Sequence, residues 1–195
     1  MTNYNAQYMS DTEVHALPFR LIGENVSIDK TVCLINVENI SIGRNVRIDA
    51  FTTIVASGEV RIGSHIHLAG YCYLDGRAGI ELNDFSGLSS GVRLYSVSDD
   101  YSGSSLTNAT IPDRFKQLVS GKVVLERHVI IGSGTVILPK VHVAEGCAIG
   151  SLSLVAKPTQ AWGVYAGVPV RRIRDRSQHL LSSEDSYLRS TGSAQ

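Results

Sequence analysis

Residues 22–34 read IGENVSIDKTVCL, residues 42–54 IGRNVRIDAFTTI, residues 62–74 IGSHIHLAGYCYL and residues 82–94 LNDFSGLSSGVRL. Set one above another, the four lines place an aliphatic residue in the first, middle and last column of every row. These are Ile22, Ile28 and Leu34; Ile42, Ile48 and Ile54; Ile62, Leu68 and Leu74; Leu82, Leu88 and Leu94. After a gap the count in sixes resumes with Leu125, Ile131, Ile137, Val143, Ile149 and Val155. A helix cannot keep residues six apart on one face, because about 3.6 residues make a turn. A short strand followed by a tight turn can. The position four residues after a slot is mostly small or β-branched, as in Val26, Val46, Thr52, Cys72, Ser86, Val92, Thr135 and Cys147, and Gly, Asn or Asp often falls in between. Repeats of this length mark a parallel β-helix.

The register gives the shape of one coil. The first four rows restart every twenty residues, which is three hexads plus two extra residues at one corner: Ile40-Ser41, Val60-Arg61 and Ile80-Glu81. From Leu125 the period is a plain eighteen. Three hexads per coil imply a triangular prism with three flat sheets. Aliphatic side chains fill its axis, at roughly 1.5–3 kcal/mol per fully buried side chain, and stability accrues coil by coil. These positions specify the scaffold and do no chemistry.

A chain of 195 residues is one domain with short appendages. Lys plus Arg balance Asp plus Glu at 18 each, which points away from nucleic acid and anionic membrane surfaces. No run has the length of a membrane span, and Met1–Phe19 has neither a basic nor an apolar leader region, so a cytoplasmic location is expected. Three cysteines, Cys33, Cys72 and Cys147, without Cys-x-x-Cys spacing argue against a disulfide framework and against a zinc site. The organisation expected is an N-terminal docking segment over 1–21, a parallel β-helix over 22–157, and a cap, short helix and loose Ser-rich tail over 158–195. Residues 95–122 interrupt the repeat. They are polar and aromatic; a loop this long inside a compact domain is usually functional or disordered, and Tyr95, Tyr101 and Phe115, which give it something to pack with, favour a functional loop.

Over residues 22–176 the chain resembles the hexapeptide-repeat acyltransferases. Three stretches look like the closing part of galactoside, maltose and surface-polysaccharide acetyltransferases: Ile131-Gly-Ser-Gly-Thr-Val-Ile-Leu-Pro, Ile149-Gly-Ser and Ala166-Gly-Val-Pro-Val-Arg-Arg-Ile. Tyr95-Ser-Val-Ser-Asp-Asp-Tyr-Ser-Gly and Thr107-Asn-Ala-Thr-Ile-Pro resemble the surface-polysaccharide branch most. The resemblance implies an all-β, left-handed parallel β-helix with one protruding loop and a short C-terminal helix. Handedness comes from the resemblance alone, since parallel crossovers are otherwise right-handed. It also implies a homotrimer with active sites between prisms and acetyl-CoA lying along the prism edge. Carried over, Ser133 and Ser151 line the pantetheine groove, Ala156 and Lys157 lie near the nucleotide end, and Arg171, helped by Arg172, meets a phosphate.

At the catalytic position the chain departs from that pattern. In galactoside and maltose relatives a His base stands five residues after the third aliphatic slot of the coil before the loop; here that residue is Asp99. Two readings stand side by side. In the first, His67 is the general base, with Asp99 beside it across a subunit boundary. In the second, Asp99 takes the proton itself. A carboxylate is a poor base for a sugar hydroxyl unless burial raises its pKa, but is adequate for an amine. Sugar contacts are expected from Tyr71, Asp75 and Arg77 on coil three and from Tyr95, Asp100 and Tyr101 at the loop. Arg77 replaces an acid of the galactoside relatives and suits a phosphate or carboxylate on the acceptor. The function expected is acetyl-CoA-dependent acetylation of a sugar or nucleotide-sugar hydroxyl, or amine, in surface-polysaccharide biosynthesis. The alternatives are an amino-sugar N-acyltransferase, a drug acetyltransferase of the chloramphenicol or streptogramin kind, and a non-enzymatic scaffold. No metal is expected: zinc chemistry on this prism needs three converging His, and His65-x-His67 supplies two.

Overall fold

The computed structural model describes residues 7–192, so the outer ends of the two terminal segments, 1–6 and 193–195, lie outside the described residues. Each hexad folds as a strand of two or three residues and a turn, and successive coils stack into three parallel sheets. Face one runs from Leu21–Ile22 through Ile40–Ile42, Val60–Ile62, Ile80–Leu82 and Val123–Leu125 to His142–Val143. Face two runs from Val26–Ile28 through Val46–Ile48, Ile66–Leu68, Gly87–Leu88 and Ile130–Ile131 to Ala148–Ile149. Face three runs from Cys33–Ile35 through Thr53–Val55, Tyr73–Asp75, Arg93–Tyr95 and Val136–Ile137 to Leu154–Val155. The register follows the aliphatic slots, Ile42 opposite Ile62, Leu82 opposite Leu125, Leu94 opposite Ile137. The solenoid therefore continues across the insertion without a break. Sixteen of the eighteen slots are buried; Ile22 and Leu34, in the terminal coil, are half-buried.

The corners carry a backbone cost. On the edge between faces one and two, Asn25, Asn45, His65, Phe85 and His128 have φ between 54° and 61°, a conformation that costs a side-chain-bearing residue roughly 1–2 kcal/mol. Stacking along the edge offsets it. Asn25 donates to Asn45 at 2.7 Å, the His65 and Phe85 rings lie 4.5 Å apart and nearly parallel, and Phe85, His128 and Trp162 continue the column at 5.5 and 6.3 Å. Gly146 holds the remaining corner because a Cβ there would lie 2.4 Å from the Trp162 ring.

Both ends of the prism are closed. Helix α1, Asp11–His15, is capped by Ser10 and Glu13 and buries Val14 against the first coil, while Met9 N–H donates to Ile28 O at 2.8 Å. At the other end Gly163–Gly167 adds to face two in parallel and Val170–Asp175 returns antiparallel to it. The stretch 162–176 is thus a hairpin, and the short helix expected in the C-terminal segment begins only at Leu180. Helix α2 spans Leu180–Gly192, so the Ser-rich tail expected to be loose is helical through Gly192. It is held by Glu184, which pairs with Arg127, and by Tyr187, whose ring meets His65 edge-on at 5.4 Å. The insertion leaves after Tyr95 on an antiparallel stem, Val97–Ser98 with Val119–Ser120, and re-enters the solenoid at Val123.

Candidate active site

The middle residues of face two form one outward row: Arg47, His67, Gly87, Ile130 and Ala148. His67 Nε2 donates to Asp49 Oδ2 at 2.7 Å. Asp49 Oδ1 accepts from Arg47 Nε at 2.7 Å and from the Tyr8 hydroxyl at 2.8 Å. Burial pushes the Asp49 carboxyl up, but hydrogen bonds from Arg47, His67 and Tyr8 outweigh it and leave its pKa below the ordinary value. The carboxylate holds the imidazole in place through a proton on Nε2. Within the chain, then, the carboxylate that meets His67 is Asp49, not Asp99. The ring opens on a groove of about 410 Å³ that also holds Ala69, Ser89, Ser90 and Ser133. Ser89 joins the groove by the repeat itself: Asp49, Ala69 and Ser89 share one column at the twenty-residue period.

Face three carries a second pocket, of about 490 Å³, lined by Tyr73, Asp75, Arg77, Tyr95, Asp99 and Tyr101 among others. Asp75 is buried and clamped by Arg77, whose Nε lies 2.9 and 3.0 Å from the two carboxylate oxygens and whose second nitrogen lies at 2.8 Å. The Asp75 hydrogen bond raises the Arg77 pKa. Arg77 is thus already paired, with only part of its fork left for an acceptor. Asp99 accepts the Asn108 N–H at 3.3 Å. Asp100 does not line this pocket. It turns into its own loop, accepting from Ser102 N, Ser104 Oγ and Ser105 N at 2.8–3.0 Å, and these bonds, that of Ser102 first, hold its pKa well below the carboxylate range. Tyr71 stacks on Phe51 at 5.0 Å in an adjoining hollow with Arg93, which shares Tyr73 and Tyr95 with the Asp99 pocket.

At the C-terminal end, Ala156, Lys157 and Arg171 line one recess of about 330 Å³ with Pro169 and Val170. Arg172 does not join them. Neighbours on a strand point to opposite faces, and its guanidinium instead binds Asp175 at 2.8 Å and the carbonyls of Gln160, Ala161 and Trp162. It fastens the hairpin. Ser133 lies in the face-two groove; Ser151, one coil on, is exposed, and its backbone N lies 2.5 Å from where a Cβ on Gly132 would stand. Cys72 is buried, which pushes its thiol up to about 11, and this is no nucleophile's environment.

Known enzymes match more than nine-tenths of the chain. A dTDP-4-amino-4,6-dideoxy-D-glucose acyltransferase from Escherichia coli is 37% identical over 182 residues, 92% of this chain and 94% of that protein. The chain belongs to the hexapeptide-repeat β-helix acyltransferases. Among solved members of the family, AntD, an N-acyltransferase from Bacillus cereus in complex with dTDP and 3-hydroxybutyryl-CoA, is 41% identical with a TM-score of 0.93, covering 96% of this chain and all of that one. A maltose O-acetyltransferase from Clostridium difficile is 20% identical with a TM-score of 0.59 over 86% of this chain and 75% of that one, a likeness of fold alone. No family model matches the chain. As an acyltransferase of this family, the protein uses CoA thioesters as donors. Among the described residues no group of three or more His, Cys, Asp or Glu is placed to hold a metal ion, and no helix is long and apolar enough to cross a membrane.

Proposed function

We propose that the protein transfers an acyl group from a CoA thioester to the amino group of a nucleotide-linked aminodideoxy sugar. The observation that carries this is Asp99. A carboxylate stands where hydroxyl-acetylating relatives place an imidazole, in a pocket with Asp75, Arg77 and Tyr95. A carboxylate holds and orients an ammonium or amine, and an amine needs far less help from a base than a sugar hydroxyl does. Two relatives support the reading. The Escherichia coli protein is named for a dTDP-linked amino sugar, and variants of AntD bind dTDP-4-amino-4,6-dideoxyglucose and coenzyme A. The substituted residues of AntD are an aspartate and a serine ten positions before it, the spacing of Ser89 and Asp99 here.

The two halves of the chemistry lie on different faces of one prism. His67, Ser89 and Ser133 open from face two, and Asp75, Arg77, Tyr95 and Asp99 from face three. A homotrimer that sets face two of one chain against face three of the next joins them. In that cleft CoA lies with its phosphates toward Lys157 and Arg171 and its thioester toward Ser89. Asp99 orients the sugar amine. The amine nitrogen attacks the thioester carbonyl, a C–N bond forms and the C–S bond breaks. Nδ1 of His67 takes the proton lost by nitrogen and returns it to the leaving sulfur, which departs as CoA thiol. Such an enzyme works in the cytoplasm and supplies an N-acylated sugar for a surface polysaccharide.

The test is thiol release from acetyl-CoA and butyryl-CoA with dTDP-4-amino-4,6-dideoxyglucose, with the product mass and amide NMR signal read out. Amide formation supports the reading. No release with the amino sugar, or equal release with the 4-hydroxy sugar, overturns it. His67→Ala and Asp99→Asn are each expected to lower kcat/KM by about two orders of magnitude.

A further inference from the structure

We infer that the apolar space between face two and α2 receives the acyl chain of the CoA thioester, so that the protein prefers acyl groups longer than acetyl. This rests on the proposed function and specifies its donor. The space measures about 460 Å³; Phe85, Val129, Ile130, Leu180 and Tyr187 supply its apolar walls, and His65, His128, Arg176 and Glu184 also border it. It adjoins the groove of Ser89 and Ser133: His67, Gly87 and Ile130 line both. A thioester carbonyl held near Ser89 therefore has an apolar room next to it.

Gly87 makes the passage. In the outward row of face two, every neighbour of Gly87 carries a side chain: Arg47, His67, Ile130 and Ala148. Nothing in the backbone calls for a glycine there. Its φ is not left-handed, and an added Cβ would meet a single atom, His67 O, at 3.7 Å, an ordinary contact. Gly132 and Gly146 differ, since a Cβ on either would collide at 2.4–2.5 Å with Ser151 N or with the Trp162 ring. The missing side chain at 87 is explained by the space it leaves open. The roof over that space is α2, fixed by the Glu184 pair with Arg127 and the Tyr187 contacts with His65 and Phe85. An acetyl methyl group ends near the passage. A butyryl chain extends through it onto Phe85 and Ile130, and gains from burial of each added methylene.

The experiment compares kcat/KM for acetyl-CoA and butyryl-CoA, at saturating amino sugar, in the native protein, Gly87→Val, Gly87→Ala and Tyr187→Ala. The native protein is expected to favour butyryl-CoA at least about tenfold. Gly87→Val abolishes or inverts the ratio; Gly87→Ala, the milder substitution, moves it the same way if the valine chain fails to fold. Tyr187→Ala, which widens the room, raises the ratio. A native ratio at or below one overturns the inference while leaving the proposed function standing. So does an unchanged ratio in both Gly87 variants. Absence of turnover with either donor overturns the proposed function and this inference with it.

Discussion

Asp49 collects three donors, from Arg47, Tyr8 and His67, and so ties the N-terminal segment to the groove. An asparagine offers one acceptor oxygen in place of two and sets an amide N–H₂ against one of the donors. Asp49→Asn is expected to lower kcat roughly tenfold with KM for both substrates little changed, less than the roughly hundredfold loss of removing a base outright. A fall in KM affinity with kcat intact would show that Asp49 acts on binding instead. Ser86 presents the opposite case. It occupies an inward slot, is 3% exposed, and its hydroxyl finds no hydrogen-bond partner among the described residues. Ser86→Ala is therefore expected to be neutral or stabilising by up to about 1 kcal/mol in urea denaturation. A loss of that size would reveal a partner for the hydroxyl. At this scale the aliphatic slots were legible because one period fixes both strand and burial. The partner of His67 was not read, because it lies one coil earlier and only the twenty-residue stacking brings the two together. Arg172 parts from Arg171 for a simpler reason. Sequence neighbours on a strand face opposite ways, and Arg171 took the outer side.

Two elements depend on contacts that their own sequences do not announce. Helix α2 is Ser-rich and looks loose by composition, yet Leu180, Glu184 and Tyr187 recur at helical spacing and meet residues contributed by coils three to five: His65, Phe85, Arg127 and His128. Glu184 Oε2 also lies 2.9 Å from His128 Nε2, off the line a hydrogen bond needs. The corner column that α2 covers is sensitive to any Cβ at Gly146. Gly146→Ala meets both a φ of 67° and the Trp162 ring, and is expected to cost about 1–3 kcal/mol, read as a lowered urea midpoint; an unchanged midpoint would show that the indole moves aside freely. At the other end, α1 rests on Glu13. The Ser10 backbone N–H, the Lys30 ammonium and the Ser10 hydroxyl lower its pKa from 4.5 to about 2. A depressed carboxyl pKa contributes stability above the unfolded value and loses it as pH falls through the folded one. Amide protection factors in residues 10–16, taken against the intrinsic exchange rate at each pH, are expected to fall between about pH 4.5 and 2, ahead of those in the coils. Simultaneous opening would mean that the cap does not stabilise α1 separately.

The whole molecule is a column whose candidate site residues look in two directions. Face two offers an imidazole, hydroxyls and an apolar recess; face three offers carboxylates and tyrosines. The six-count made the column readable from sequence, since each coil repeats the same local rule. The six-count does not say which outward residues from separate coils gather into one pocket, so Asp75, Arg77, Tyr95 and Asp99 emerged as a group while Asp100 and Tyr71 fell outside it. The most direct test of a shared site mixes two inactive chains. His67→Ala and Asp99→Asn proteins are unfolded, combined in equal amounts and refolded, and amide formation is measured. Sites built by two neighbouring chains should recover about a quarter of native activity under random assembly in a closed ring. Activity that stays at the level of the separate variants in a confirmed mixed oligomer would place both residues in one chain's site and contradict the account.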